Sequence, residues 1–433
     1  MKFPGRRDKK HYFPVSEKGR SGAGERPRQF SKDVYLVGID QLLVDIEIEV
    51  DDAFLSKYDF PKGQSFLIGD EVAEEIYTWA KSANRIRGEF PGGAVGNTLH
   101  NFAVLSDASC FALGAIKRQI EVGDYAFKYL SKTSGLVDMS FLQPSEKPMG
   151  RALCFITPDF ERTFAISKGC MNDLKEESIP EEAIKNSCAL LLSAYTLRAK
   201  GENIFNATRK ACEIAKKGRV PVVMSLGTSK LVEEHLDFLK EFCEDYVTVL
   251  AMNQQEAQAF TGLDDPLLAL EKILDTVDMC LLTVGKKGLY VGGFCDKKNL
   301  RETKDPLVTK SIVDYNAFEY SRGMRKTDCE QPVKIYTHVN PFKGGPLAIK
   351  NTNGAGDAAL SALLHDISAN LYHKEMIPNS PKHNDAYLTY SSISQISKYA
   401  NRVSFEVLIQ SSPRLLKGLP EKEEGLEEAH WSE

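Results

Sequence analysis

The stretch "NTNGAGD" (351–357) puts Gly354, Ala355, Gly356 and Asp357 immediately before the apolar run "AALSALLHDI". That run predicts a helix. A helix N-terminus presents unpaired N–H groups and a partial positive charge, and both attract anions. Glycines there let a ligand come close to the backbone. Asp357 has two readings at this point. It is a helix cap, worth about 0.5–2 kcal/mol, or it belongs to a ligand site that the glycines admit.

Four other places carry residues of the same character. "VGID" ends in Asp40, and "GGAVGN" (92–97) holds Gly92, Gly93 and Asn97. "LAMN" ends in Asn253, with Glu256 three residues on, and "TVGKKG" holds Thr283, Val284, Gly285 and Gly288. Each has a plain structural reading beside a functional one. Asp40 fits a turn, Asn253 with Glu256 fits a capping box, and "GGAVGN" fits a loop with a helix cap. There is no GxxxxGK[ST] and no GxGxxG after the first strand. A phosphate site would therefore have to come from the 354–357 turn and the "TVGKKG" loop.

The elements that must hold these residues alternate along the chain. "DVYLVGID" (33–40), "CALLLSAY" (188–195), "VPVVMSLG" (220–227), "YVTVLAMN" (246–253) and "MCLLTVG" (279–285) read as buried strands. The segments 203–218 and 229–244 have helical periodicity. Near-continuous apolar strands separated by helices imply a parallel sheet covered on both faces. In such a sheet ligands collect at the carboxyl ends of the strands, where Asp40, Asn253 and Thr283 fall. "QLLVDIEIEVDD" (41–52) and "RALCFITPDFERTFAIS" (151–167) carry partial period-two alternation and lack a clear crossover helix, which suggests a smaller sheet beside the main one. The stretches 295–350 and 366–390 read as insertions.

Composition excludes several classes. The 433 residues are 42% hydrophobic with a net charge of −5, which is ordinary for a globular protein and gives no sign of a nucleic-acid or membrane partner. Nine cysteines, scattered without CxxC, fit a reducing compartment. No run reaches the ~18 apolar residues of a spanning helix, and the start lacks a secretory pattern. The expectation is a cytoplasmic protein. Residues 1–32 carry ten Lys/Arg against three Asp/Glu and read as a basic arm; 417–433 read as an acidic tail.

"GGAVGN", "NQQE" and "NTNGAGD", in that order and with "TVGKKG", resemble the signatures of the ribokinase-like carbohydrate kinase family. "KFPGRR", "HYFPV", "VGIDQ", "ERTFAIS", "LAMN" and "YSRGMR" extend the resemblance over nearly the whole chain, toward members that phosphorylate inosine and guanosine. The resemblance implies a three-layer α/β/α sandwich with a small β-sheet lid. The kinase domain would span 33–416, with lid strands within about 41–60 and 110–167. It implies ATP-dependent transfer to the ribose 5′-hydroxyl of a purine nucleoside, with Mg²⁺. Asp357 matches the catalytic base, and Gly354, Ala355 and Gly356 match the anion hole. Asp40, Gly93 and Asn97, with Gly92 beside them, match positions that hold sugar hydroxyls. Asn253 and Glu256 match the pair that organises magnesium, mainly through water. Thr283, Val284, Gly285 and Gly288 match the loop beside the ATP phosphates.

Arg162 in "ERTF" either neutralises phosphate, fixes a lid acid, or is simply solvated or structurally paired. Arg198 is a candidate contact for base or phosphate, and His100 reads as a packed core residue. Asn351 stands where the family motif often has Asp, so a monovalent cation stays open, as does a homo-oligomer. An adenosine or sugar kinase is the alternative within the family. A non-catalytic nucleoside sensor on the same scaffold is the alternative outside it.

Overall fold

The computed structural model describes residues 34–419 except 107, 160, 304–309, 314, 343–348, 351 and 381–385. The basic arm, Asn351, nearly all of the acidic tail and parts of both insertions lie outside the described residues. The described chain forms two compact units. Leu36–Leu99 with Cys110–Gly227 makes one; His100–Ser109 with the chain from Thr228 onward makes the other.

In the first unit the strand β1 (Leu36–Ile39) lies between β5 (Cys110–Leu113) and β11 (Ala189–Ser193), all parallel. Then β7 (Val137–Asp138) extends one side and β12 (Val222–Ser225) the other, also parallel. β1 and β11 are buried throughout, which is why they read as unbroken apolar runs. Gly38 keeps β1 close to the helix Ala94–Ser106, since a Cβ there would come within 2.7 Å of Val95 Cγ1.

A second sheet of this unit runs in the order β3 (Ser65–Ile68), β10 (Arg162–Ser167), β9 (Gly150–Ile156), β2 (Leu43–Glu49), β4 (Ile86–Pro91). Its pattern follows from β2: Val44, Ile46 and Ile48 turn to a core that includes Ala73, Ile76 and Tyr77 of the helix Asp70–Ser82. Asp45, Glu47 and Glu49 take the other face. Alternation reveals β2, β9 and β10, whereas β3 is only four residues long and β4 carries Arg87, Gly88 and Glu89 in succession, and neither was foreseen. β6 (Ala115–Lys117) and β8 (Gln143–Ser145) form a small separate pair.

In the second unit β13 (Val249–Asn253) and β14 (Met279–Thr283) are parallel. The expectation of a wholly parallel sheet fails beyond them. β15 (Leu289–Asp296) runs antiparallel to β14, as do β16 (Arg322–Met324) and β17 (Pro332–Val339) to β15, and β18 (Tyr387–Ser392) to β16. The reason is the short link after Thr283, because a parallel return needs a crossover of a dozen or more residues. Parts of the stretches read as insertions are thus regular structure, and the helix Ala355–Met376 enters the second of them.

The helix expected over 229–244 is two helices, Ser229–Glu234 and Leu236–Tyr246. His235 leaves helical geometry at φ −129°, and its carbonyl then accepts the Leu239 N–H at 2.9 Å. The helix Asn203–Lys217 is as expected.

Candidate active site

Asp40 follows β1 at the carboxyl end of the parallel strands and is 4% exposed. Its Oδ2 accepts the Gly96 N–H at 2.8 Å, so the carboxylate sits on the first turn of the helix Ala94–Ser106. Gly93 permits this approach. Its φ is +87°, and a Cβ there would fall 2.3 Å from Asp40 Oδ2. The N–H of Asn97, a buried residue, donates to the Gly93 carbonyl at 3.0 Å. Gly92 donates its N–H to Leu43 at 3.0 Å, and a Cβ there would meet Asp45 Oδ2 at 2.8 Å. "GGAVGN" is therefore a loop and helix start, and it also brings Asp40, Gly93 and Asn97 together.

β11 and β12 end at the same edge. Tyr195 lies against Gly227, whose φ is +92° and where a Cβ would fall 2.6 Å from the ring. The half-buried Arg198 places its guanidinium 5.8 Å from the Tyr195 ring centroid. Arg162 pairs with Glu47 of β2 at 3.5 Å; both ends of that pair are partly exposed, so it contributes about 0–1 kcal/mol. Gln41 donates to Asn172 across the same edge, both side chains being buried.

In the second unit Asn253 ends β13 and caps the helix Gln254–Thr261. Its Oδ1 accepts the Glu256 N–H at 3.0 Å and Glu256 Oε2 accepts the Asn253 N–H at 3.0 Å. Asn253 Nδ2 also donates to Glu256 Oε1 at 2.6 Å. The capping-box reading is thus literally present, and it fixes both side chains at a strand end. Burial pushes the Glu256 carboxyl up to about 6, with the Asn253 N–H pulling the other way.

Asn253 stands in register with Thr283 of β14. In the loop after Thr283 the Val284 N–H donates to Gly288 at 2.8 Å. Gly285 has φ +48° and Gly288 φ +87°, and a Cβ on Gly288 would collide with the Val339 carbonyl at 1.9 Å. His338 Nε2 bonds the Lys287 carbonyl at 2.8 Å and steadies the loop.

Gly354 is the N-cap of the helix Ala355–Met376 at φ +78° and offers no side-chain acceptor. A Cβ there would lie 2.7 Å from the Pro413 carbonyl, whereas a Cβ on Gly356 would meet nothing within 4 Å. Asp357 is half-buried in the helix's first turn. Pro413 is held by the segment that follows it: Asn101 Oδ1 accepts the Leu415 N–H at 2.7 Å. His100 Nε2 donates to the Leu415 carbonyl at 2.9 Å. Burial, then the nearby Arg414 charge, pushes the His100 imidazole down to about 4. It is a neutral core histidine, as expected. Tyr195, Gln41, Asn172, His338 and Pro413 were missed, because each acts through a partner distant in sequence and carries no local motif.

A family model described as the pfkB family carbohydrate kinase matches residues 77–309. The guanosine-inosine kinase of Escherichia coli strain K12 is 49% identical over 432 residues, covering 100% of both chains. The chain belongs to the pfkB family of carbohydrate kinases. The family match includes "GGAVGN", "NQQE" and "TVGKKG" but ends before 351–357, which the full-length relative spans. Among solved structures this pfkB-family chain is similar to a probable sugar kinase from Rhizobium etli CFN 42. The TM-score is 0.64 at 18% identity, over 92% of this chain and 98% of that one. It is also similar to an adenosine kinase from Sinorhizobium meliloti, with TM-score 0.63 at 20% identity over 89% and 97%. These likenesses show the ribokinase-like fold. Membership in a kinase family carries ATP as co-substrate and, typically, a divalent metal.

Proposed function

We propose that this kinase transfers the γ-phosphoryl group of ATP to the ribose 5′-hydroxyl of inosine and guanosine, giving IMP and GMP. The observation that carries the substrate choice is the 49% identity, over the whole chain, to relatives named guanosine-inosine kinase. The reaction is a phosphotransfer to an alcohol acceptor, and the cytoplasm is its proposed place. Among the described residues, no helix is long and apolar enough to cross a membrane.

Asp357 is the proposed general base. As the 5′-oxygen attacks phosphorus, its proton passes to the Asp357 carboxylate while the bond from phosphorus to the ADP oxygen breaks. Positioned general bases contribute about 10²–10⁴-fold. Backbone N–H groups of Gly354, Ala355, Gly356 and Asp357 face the developing charge, and the open space at Gly356 leaves room for it. Asp40, Gly93 and Asn97 hold the ribose hydroxyls, with Gly92 shaping the turn. Arg198 is placed for base or phosphate, and Arg162 holds Glu47 on the smaller sheet. Thr283, Val284, Gly285 and Gly288 border the ATP phosphates.

The residues fit Mg²⁺ only as outer holders. Both Glu256 oxygens already accept hydrogen bonds from Asn253. Among the described residues, no group of three or more His, Cys, Asp or Glu could hold a metal. Asn253 and Glu256 would therefore meet the ion through water. When bound, Mg²⁺ would offset the negative charge of the phosphates.

The test is ADP release with MgATP against inosine, guanosine, adenosine and ribose, with Asp357→Asn alongside. Turnover on the first two, lost in the variant, is the expected result. Turnover on adenosine or ribose alone would overturn the substrate choice.

A further inference from the structure

The smaller sheet carries a cavity of about 570 Å³ at the end where β2 and β9 finish and β4 begins. That is within the roughly 300–1,000 Å³ typical of small-molecule sites. One wall is aromatic. Trp79 stacks on Phe54 with ring centroids 4.7 Å apart and planes 21° apart. At 37% exposure the indole is open to another planar group. The opposite rim is cationic. Arg85, immediately before β4, and Arg87, its second residue, both line the cavity, and both are exposed. Neither guanidinium makes a hydrogen bond or ion pair among the described residues.

Charge narrows the occupant. Lys57, Arg85 and Arg87 face Glu49 and Asp51 around the cavity, a balance of one positive charge. Asp51 is already engaged in capping the Phe54 N–H at 2.8 Å. The two guanidiniums of Arg85 and Arg87 by themselves match the charge of about −1.5 to −2 that a phosphate monoester carries at neutral pH; a triphosphate carries more than they offset. Arginine forks and aromatic faces together recognise a planar base bearing phosphate.

The cavity is also joined to the acceptor residues within the same unit. β4 runs from Ile86 to Pro91, next to Gly92 and Gly93, and β2 runs back from Glu49 toward Asp40. Six residues of strand span about 20 Å, so the cavity lies apart from Asp40 along two continuous strands.

We propose that this cavity is a second ligand site, for a purine nucleoside monophosphate, with the base on Trp79 and the phosphate at Arg85 and Arg87. It rests on the reading above only in the choice of base, since IMP and GMP are the products there. The experiment is calorimetric titration of the full chain with GMP, beside inosine turnover with MgATP, on wild type and the R85A/R87A double variant. Both arginines are exposed, so the variant should keep its fold and its basal kcat and KM. The expected result is a second GMP binding event, weakened about tenfold or more in the variant. Guanosine and ribose 5-phosphate, each carrying half of the chemistry, should bind there at least about tenfold more weakly than GMP. A single GMP event, competitive with inosine and unchanged in the variant, overturns the proposal. So does ATP or inorganic phosphate binding there as tightly as GMP. If inosine and guanosine are not turned over while arginine-dependent GMP binding persists, the functional reading fails and the site stands.

Discussion

Asp357, in the 354–357 turn, and the glycines Gly93 and Gly288 make opposite predictions. Asp357→Asn keeps size and helix position but removes the base, so turnover should fall at least about a hundredfold while nucleoside binding, read by calorimetry, survives. Near-normal turnover would remove Asp357 from the role. Gly93→Ala instead puts a Cβ 2.3 Å from Asp40 Oδ2 at a φ of +87°. Its cost should appear as a nucleoside KM raised about tenfold or more, with the ATP KM little changed, because a strained φ costs about 1–3 kcal/mol. Gly288→Ala should show the reverse split, through the Val339 carbonyl at 1.9 Å. Equal shifts in both KM values would mean that these glycines serve general folding and not separate substrates.

At the scale of elements, the helix Gln254–Thr261 ties a stability effect to a candidate metal-holding group. Burial moves Glu256 from 4.5 to about 6 in the folded chain. The folded state therefore holds the proton more tightly than the unfolded state. Stability that this group contributes is present at low pH and is lost as pH rises through that window. The loss amounts to about 2 kcal/mol for a shift of this size. In Glu256→Gln the loss is absent, so wild-type minus variant stability should fall with pH from about 4.5 to 6 and be flat outside it. Denaturant melts at several pH values read this directly, and a pH-independent difference would sink the account. Turnover should fall in the same variant if the carboxylate organises Mg²⁺.

What the sequence made legible follows from range. β1, β11, β12, β13 and β14 were readable because buried parallel strands are apolar on both faces. "GGAVGN" and "NTNGAGD" were readable because loop, glycine and helix start are contiguous. β3 and β4 were not, since Ser65–Ile68 and Ile86–Pro91 alternate weakly and gain strand character only by pairing with β10 and β2. Nor was the break at His235, which no proline or glycine announces.

At the scale of the whole molecule, the cysteines report on packing. Of the nine, eight are buried and Cys329 is half-buried. Burial pushes the Cys329 thiol up to about 11, so even this one reacts slowly at neutral pH. A thiol reagent should titrate one slow group in the native chain and all nine after denaturation; several fast groups at the start would contradict the core described. The strap of His100 and Asn101 on Leu415 sets a different limit. Its partners are 315 and 314 residues apart in sequence, and contacts of such separation form late. As the chain leaves the ribosome, the buttress that Pro413 gives Gly354 arrives well after Gly354 itself. A nascent chain stopped short of Pro413 would have its strands yet lack the support beneath Gly354, so the turn at 354–357 would be finished only after residue 413 had been made.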